Sequence, residues 1–112
     1  VKIKTSELSG IALDWAVAKS EEVHVFCMEN LLWTWVVEDW KVYSHSSDWS
    51  QGRPIIEREK IDINFAGDWS ASYNAWTYKH GDTPLIAAMR CYVASKLGED
   101  VDVPDELLEE VK

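Results

Sequence analysis

Long apolar runs are what this chain most plainly lacks. The longest, Leu31 to Val37, is strand length and falls far short of the roughly 18 residues that a membrane-spanning helix requires. No basic start leads into an apolar segment either: the chain opens VKIKT, so no secretory leader is expected. Cysteine is nearly absent. Cys27 and Cys91 are too few for a disulfide framework and are expected as reduced, structural thiols. Glycine is sparse and scattered. The five glycines are isolated, and Gly52 is followed by neither Lys-Ser nor Lys-Thr, which excludes a phosphate-cradling loop. Bases are outnumbered, 11 Lys and Arg against 20 Asp and Glu.

The net charge of −9 is unevenly placed. Residues 98–112 hold seven acids against Lys112 alone, or −6, which leaves 13 acids and 10 bases, or −3, for the rest. A nearly neutral body with an acidic tail is a poor holder of phosphates, so direct nucleic-acid binding is disfavoured. Repeats and low-complexity tracts are also missing. A chain of 112 residues is long enough for one sizeable core and too short for two.

The clearest element is Thr83 to Gly98, TPLIAAMRCYVASKLG. Thr83 is a natural N-cap, Pro84 fits the first helical position, and Gly98 suits a left-handed stop. Ile86, Met89, Val93 and Leu97 recur at helical spacing, widened by Leu85, Ala88 and Tyr92. Residues 6–20 read as an amphipathic helix with Leu8, Ile11, Ala12, Trp15 and Ala18 inward and Glu7, Asp14 and Lys19 toward water. Gly10 weakens its first turn, which moves the start toward Ser9. A third helix is expected over 50–60, capped by Ser47 or Asp48, with Pro54 starting its regular part after an irregular lead-in.

Between these helices the period switches to strands. Val23, Val25 and Cys27 alternate with His24 and Phe26 up to a turn at Glu29-Asn30. Leu31 to Val37 is apolar on both faces, which predicts a central strand covered on both sides. Trp40, Val42 and Tyr43 continue it. Ile61 to Phe65 and Trp69 to Asn74 alternate across Ala66-Gly67-Asp68 as a hairpin, extended by Trp76 and Tyr78 before a loop at His80 to Asp82. Glu99 to Val103 reads as a linker, and Pro104 introduces a short helix, DELLEEV, with acids at its N-terminus.

Seven tryptophans stand out. Trp15, Trp33, Trp35 and Trp69 fall on core positions, whereas Trp40, Trp49 and Trp76 lie at element edges or loops and suit contact with a partner. The histidines and cysteines lack the spacing of a zinc site, so neither a metal nor a cofactor is expected. SHSSDWS sets Ser, His and Asp together, but neighbours in sequence rarely form a triad; the segment reads as a capping loop. Glu57 and Glu59 alternate with Arg58 and Lys60 as a solvated, ion-paired face. Arg90, off the apolar stripe, is expected as a strut to Glu57 or Asp48, or as an anion contact.

KIKTSEL, ALDWAVAK, DWSQGRPIIERE (Asp48 to Glu59), TPLIAAMRCYVASKLG and DVPDEL together resemble the NinX-like proteins of lambdoid phages. More distantly, the chain is similar to phage domains described as an α-β-α sandwich. The Trp-rich stretch Leu31 to Trp40 departs from the pattern. The resemblance implies a phage or prophage protein in the cytoplasm of the bacterial host. It implies no catalytic residue.

These readings converge on an α+β fold, with a mostly antiparallel sheet of about four or five strands packed with helices 6–20, 50–60 and 84–97. Residues 1–98 form the compact domain and 99–112 an acidic extension with a short helix. The expected function is non-enzymatic, the binding of a host or phage protein, with Asp48, Trp49, Glu57, Trp76 and Arg90 as the candidate surface. The alternatives are a small hydrolase or transferase using Asp48, Glu57 and Arg90, and a nucleic-acid binder using Lys41, Arg53, Arg58, Lys60 and Lys79 beside Trp49. Self-association stays open, and no membrane partner is expected.

Overall fold

The computed structural model describes residues 1–36, 38–74 and 77–108. In chain order the elements are β1 (Lys2–Lys4), α1 (Gly10–Ser20), β2 (Phe26–Met28), β3 (Leu31–Val36), β4 (Asp39–Val42), α2 (Trp49–Glu59), β5 (Asp62–Phe65), β6 (Trp69–Tyr73), β7 (Thr77–Gly81), α3 (Pro84–Leu97), β8 (Asp100–Asp102) and α4 (Asp105–Leu108). A short 3₁₀ turn at Thr5–Glu7 separates β1 from α1. The class is α+β, with antiparallel pairing throughout.

α3 begins and ends where its caps dictate. Thr83 Oγ1 accepts the Ile86 N–H at 3.1 Å, Pro84 fills the first position, and Gly98 stops the helix at φ +92°, a backbone region that glycine alone enters without strain. The expected one-sided stripe is too narrow. Ala87, Cys91 and Ala94 are buried along with Leu85, Ala88, Met89, Tyr92 and Val93. Their small side chains let neighbours approach from several sides, and α3 packs on β5–β7, on α1 and on α2.

The strands form three small sheets, ordered β1–β8, β2–β3–β4 and β5–β6–β7, rather than one sheet of four or five strands. Left-handed backbone at Glu29, Asn30 and Glu38 in the first meander, and at Gly67 and Asn74 in the second, closes tight turns, so each meander is complete in itself. Each also finds its own helix: β3 packs on α1, and β5–β7 pack on α3. β5 and β6 form the expected hairpin. β7 joins it, taking His80 into a strand where a loop is expected; Trp76 lies outside the described residues. Glu99 to Val103 is no linker. β8 pairs with β1, matching Lys2 to Asp102, Ile3 to Val101 and Lys4 to Asp100, and Val101, Val103 and Leu107 are buried in the core.

Two local expectations are overturned. α2 runs unbroken from Trp49 through Pro54. Pro54, in the middle of the eleven residues, removes one intrahelical donor, and the Asp48 cap on the Ser50 N–H (3.0 Å) together with packing offsets that loss. Gly52 is the close-packed point: a Cβ there would meet the His45 carbonyl oxygen at 2.7 Å. Asp14, expected to face water, is 6% exposed because the loop before α2 folds over it. Its Oδ1 accepts the Ser46 N–H at 2.7 Å.

Candidate functional site

Residues opposite each other in an antiparallel pair share a face. The register pairs Phe26 with Trp33, Met28 with Leu31 and Trp35 with Trp40, so all six project from one side of the β2–β3–β4 meander. Cys27, Leu32, Thr34 and Lys41 project from the other, where Leu32 and Thr34 are buried. The first side is open. Phe26, Met28, Leu31, Trp35 and Trp40 are 53%, 51%, 43%, 55% and 42% exposed. The rings also touch one another edge to face, Trp40 to Phe26 at 5.6 Å and Trp40 to Trp35 at 5.0 Å. With bodies of ~150–250 Å² for the aromatics, the five side chains leave on the order of 500 Å² of apolar surface, near the top of what isolated monomers expose.

This face corrects the reading of the strand. β3 is central in its meander, but only one of its two apolar faces is covered. Trp35 is therefore surface and not core. Trp33 is half-buried, its indole N–H donating to the Met28 carbonyl at 3.3 Å, and Trp15 and Trp69 are likewise half-buried against the core. Phe26 and Met28 carried no sequence signal of exposure beyond alternation in a short strand.

The inner side of the same meander and α2 enclose a second feature, a cleft of about 550 Å³. Ser50, Gln51, Pro54, Ile55 and Arg58 of DWSQGRPIIERE line one wall. Facing them, Tyr43 and His45 stack at 4.2 Å. Burial lowers the His45 pKa and raises that of Tyr43, with Glu21 and Asp14 adding to the latter. Both rings are thus neutral at pH 7. The Tyr43 hydroxyl and His45 Nδ1 find no hydrogen-bond partner among the described residues, and both are closed to solvent.

Beside the cleft lies a charged lattice. Arg58 donates to Glu21 and to Glu59, and Tyr92 and Tyr73 donate to the same two carboxylates. Burial works against Glu21 ionising, but the bonds from Arg58 and Tyr92 prevail and hold its pKa below the ordinary value. For Glu59 the Arg58 bond is itself the leading cause of a lowered pKa. Every strong polar group here is occupied by another, an arrangement that braces α2 against α1 and α3.

The candidates proposed from sequence occupy different settings. Asp48 caps α2, its pKa lowered chiefly by the Ser50 hydroxyl. Trp49 is 49% exposed at the start of α2. Glu57 pairs with Arg53 at 2.7 Å on the outer side of the helix. Arg90 is a strut, but to backbone: Nε donates to the Leu8 carbonyl at 2.7 Å and Nη1 to that of His80 at 2.9 Å. Among the described contacts Asp48, Glu57 and Arg90 share no partner. Arg90 instead borders a cleft of about 380 Å³ that includes an exposed His80–Asp68 pair at 2.7 Å. The described residues include no group of three or more His, Cys, Asp or Glu placed to hold a metal ion. None of their helices is long and apolar enough to cross a membrane.

The family model described as "Bacteriophage P22, NinX" matches residues 4–96, a span that contains both meanders, α1, α2 and nearly all of α3. No curated protein matches the chain.

Proposed function

Because the chain belongs to the family described as Bacteriophage P22, NinX, we propose that it is a phage accessory protein that works by holding another protein, of host or phage, on the open face of the β2–β3–β4 meander. The observation that carries this is the face itself: Phe26, Met28, Leu31, Trp33, Trp35 and Trp40 lie side by side with no charged residue among them. Aromatic residues dominate binding energy at protein interfaces, and an uncovered patch of this size costs solubility unless something docks there. Trp49 is a secondary contact. The acidic segment from Pro104 is less suited, since Leu107 is turned into the core.

Two alternatives fit less well. An enzyme using Asp48, Glu57 and Arg90 needs those groups to converge, and each is engaged elsewhere. A nucleic-acid binder needs unpaired bases on one surface, yet of the five bases proposed Lys41, Arg53, Arg58 and Lys79 each pair with a carboxylate, which leaves Lys60 alone. The test is capture by the tagged protein from a nuclease-treated lysate of phage-infected cells, run beside the variant Trp35→Ser/Trp40→Ser. The reading expects a stoichiometric protein held by the wild type and released by the variant. A capture indifferent to the two substitutions, or none at all, removes it.

A further inference from the structure

The rim of the open face narrows what docks there. Residues 21–43, which contain the whole meander, carry five acids, Glu21, Glu22, Glu29, Glu38 and Asp39, against Lys41. Glu29 sits in the β2–β3 turn and Glu38 in the β3–β4 turn, both exposed, while Asp39, opposite Val36, projects from the covered side. The two turns lie at opposite ends of the meander, so the apolar face ends in carboxylate on both sides. Lys41, the single base, projects from the covered side and is paired with Asp39 at 3.6 Å.

Resting on the protein-binding reading above, we propose that the partner is a polypeptide segment with apolar anchors flanked on both sides by Lys or Arg. Its anchors meet Trp35, Trp40 and Phe26, and its flanking cations meet Glu29 at one end and Glu38 at the other. Arginine gains doubly, since its guanidinium stacks on an exposed indole. Complementary charge at a rim raises the encounter rate and rejects wrong partners more than it deepens affinity.

The same charges disfavour the other occupants. A second copy would pack sheet on sheet with strands nearly aligned, setting one acidic end over another. The face of about 500 Å² is also smaller than the ~800 Å² per partner that a stable interface commonly buries. Nucleic acid and anionic lipid surfaces both present negative charge to a negative rim.

The experiment uses the intact protein and three synthetic peptides with identical Leu and Phe anchors and Lys/Arg, Gln or Glu flanks. Binding is read by tryptophan fluorescence at low and moderate salt. Vesicles of phosphatidylglycerol and of phosphatidylcholine, a DNA duplex and sedimentation of the protein alone run in parallel. The expected result is at least tenfold tighter binding of the basic peptide than of the Gln peptide, shrinking as salt rises. Glu29→Lys with Glu38→Lys should erase that preference while leaving the Gln peptide unchanged, and Trp35→Ser should weaken all three peptides. Equal affinity for the three peptides overturns the charge inference and leaves the protein-binding reading standing. Absence of peptide binding overturns both, whether the face then takes vesicles, DNA or a second copy, or nothing at all.

Discussion

Arg58 and Glu21, 37 residues apart, meet in a two-pronged pair: Nη1 donates to Oε1 at 3.0 Å and Nη2 to Oε2 at 2.7 Å. Arg58 lies in the last turn of α2 and Glu21 at the C-cap of α1. Tyr92 of α3 joins them, receiving a bond from Arg58 at 3.1 Å and donating to Glu21. Three helices are thus pinned by one guanidinium. Arg58→Lys keeps the charge but loses the fork, and Arg58→Ala loses both. Since Arg58 is half exposed, screening limits the loss to about 1–2 kcal/mol for the alanine variant. Urea midpoints should fall in the order wild type, Lys, Ala. Equal midpoints for Lys and wild type would deny the fork its role.

Asp14 contributes to pH dependence in the opposite direction to its neighbours. Burial raises its pKa to about 6, against the opposing bond from Ser46. The folded state therefore holds the proton more tightly than the unfolded chain. Stability from this group grows as pH falls through about 6 and is weakest above it. Glu21 and Glu59, with lowered pKa values, contribute stability above the carboxylate range that is lost on acidification through their folded values. Asp14→Asn keeps an oxygen for the Ser46 N–H and removes the charge. It should raise stability at pH 7.5 by on the order of 2 kcal/mol and by less than half of that at pH 4.5, where the unfolded carboxylate begins to take up its own proton. Denaturant curves at the two pH values check this, and a gain of equal size at both would show that charge is not the cause.

Leu107 tests whether the acidic end is a free arm. It is 1% exposed and belongs to the core cluster, held there by β8 against β1. Leu107→Ala should cost about 2–5 kcal/mol, as truncation of a fully buried leucine does. A surface-arm reading expects no measurable change in thermal midpoint. Cutting the chain after Gly98 removes β8 and Val103 as well, so loss of a partner by that truncated chain would not locate the contact.

What was legible from sequence was local. Thr83, Pro84 and Gly98 announce α3 because caps act within a few residues, and the Ile61–Phe65 and Trp69–Tyr73 alternation announces its hairpin for the same reason. Asp14 was misread because its burial depends on Ser46, 32 residues away; the helical pattern alone placed it toward water. Glu21 with Arg58 was invisible on the same grounds. The β3 strand teaches a different lesson. An apolar face reads identically whether this chain covers it or leaves it open, so Trp35 looked like core. The cap at Asp48 and the exposure of Trp49 were legible because both are set within the first turn of α2. Arg90 was expected to reach Glu57 or Asp48, but its partners, the Leu8 and His80 carbonyls, are set by the fold and not by neighbouring sequence.

Trp35 and Trp40 separate surface from stability within a single strand pair. Their edge-to-face contact at 5.0 Å is worth about 0.5–1.5 kcal/mol beyond burial, and both rings are otherwise largely in water. Trp35→Ser should therefore lower stability by about 1 kcal/mol, and adding Trp40→Ser should cost no more than about 1 kcal/mol further, the contact with Phe26 being all that is left to lose. Leu32→Ala, on the covered face at 2% exposure, should cost about 2–5 kcal/mol. The dye ANS reports the other half of the argument. The native wild-type protein should bind it at the open patch, the double serine variant should bind it markedly less, and Leu32→Ala should retain it while still folded. Were the double serine variant to lose as much stability as Leu32→Ala, the aromatic face would belong to the core, and the docking surface argued from it would not exist.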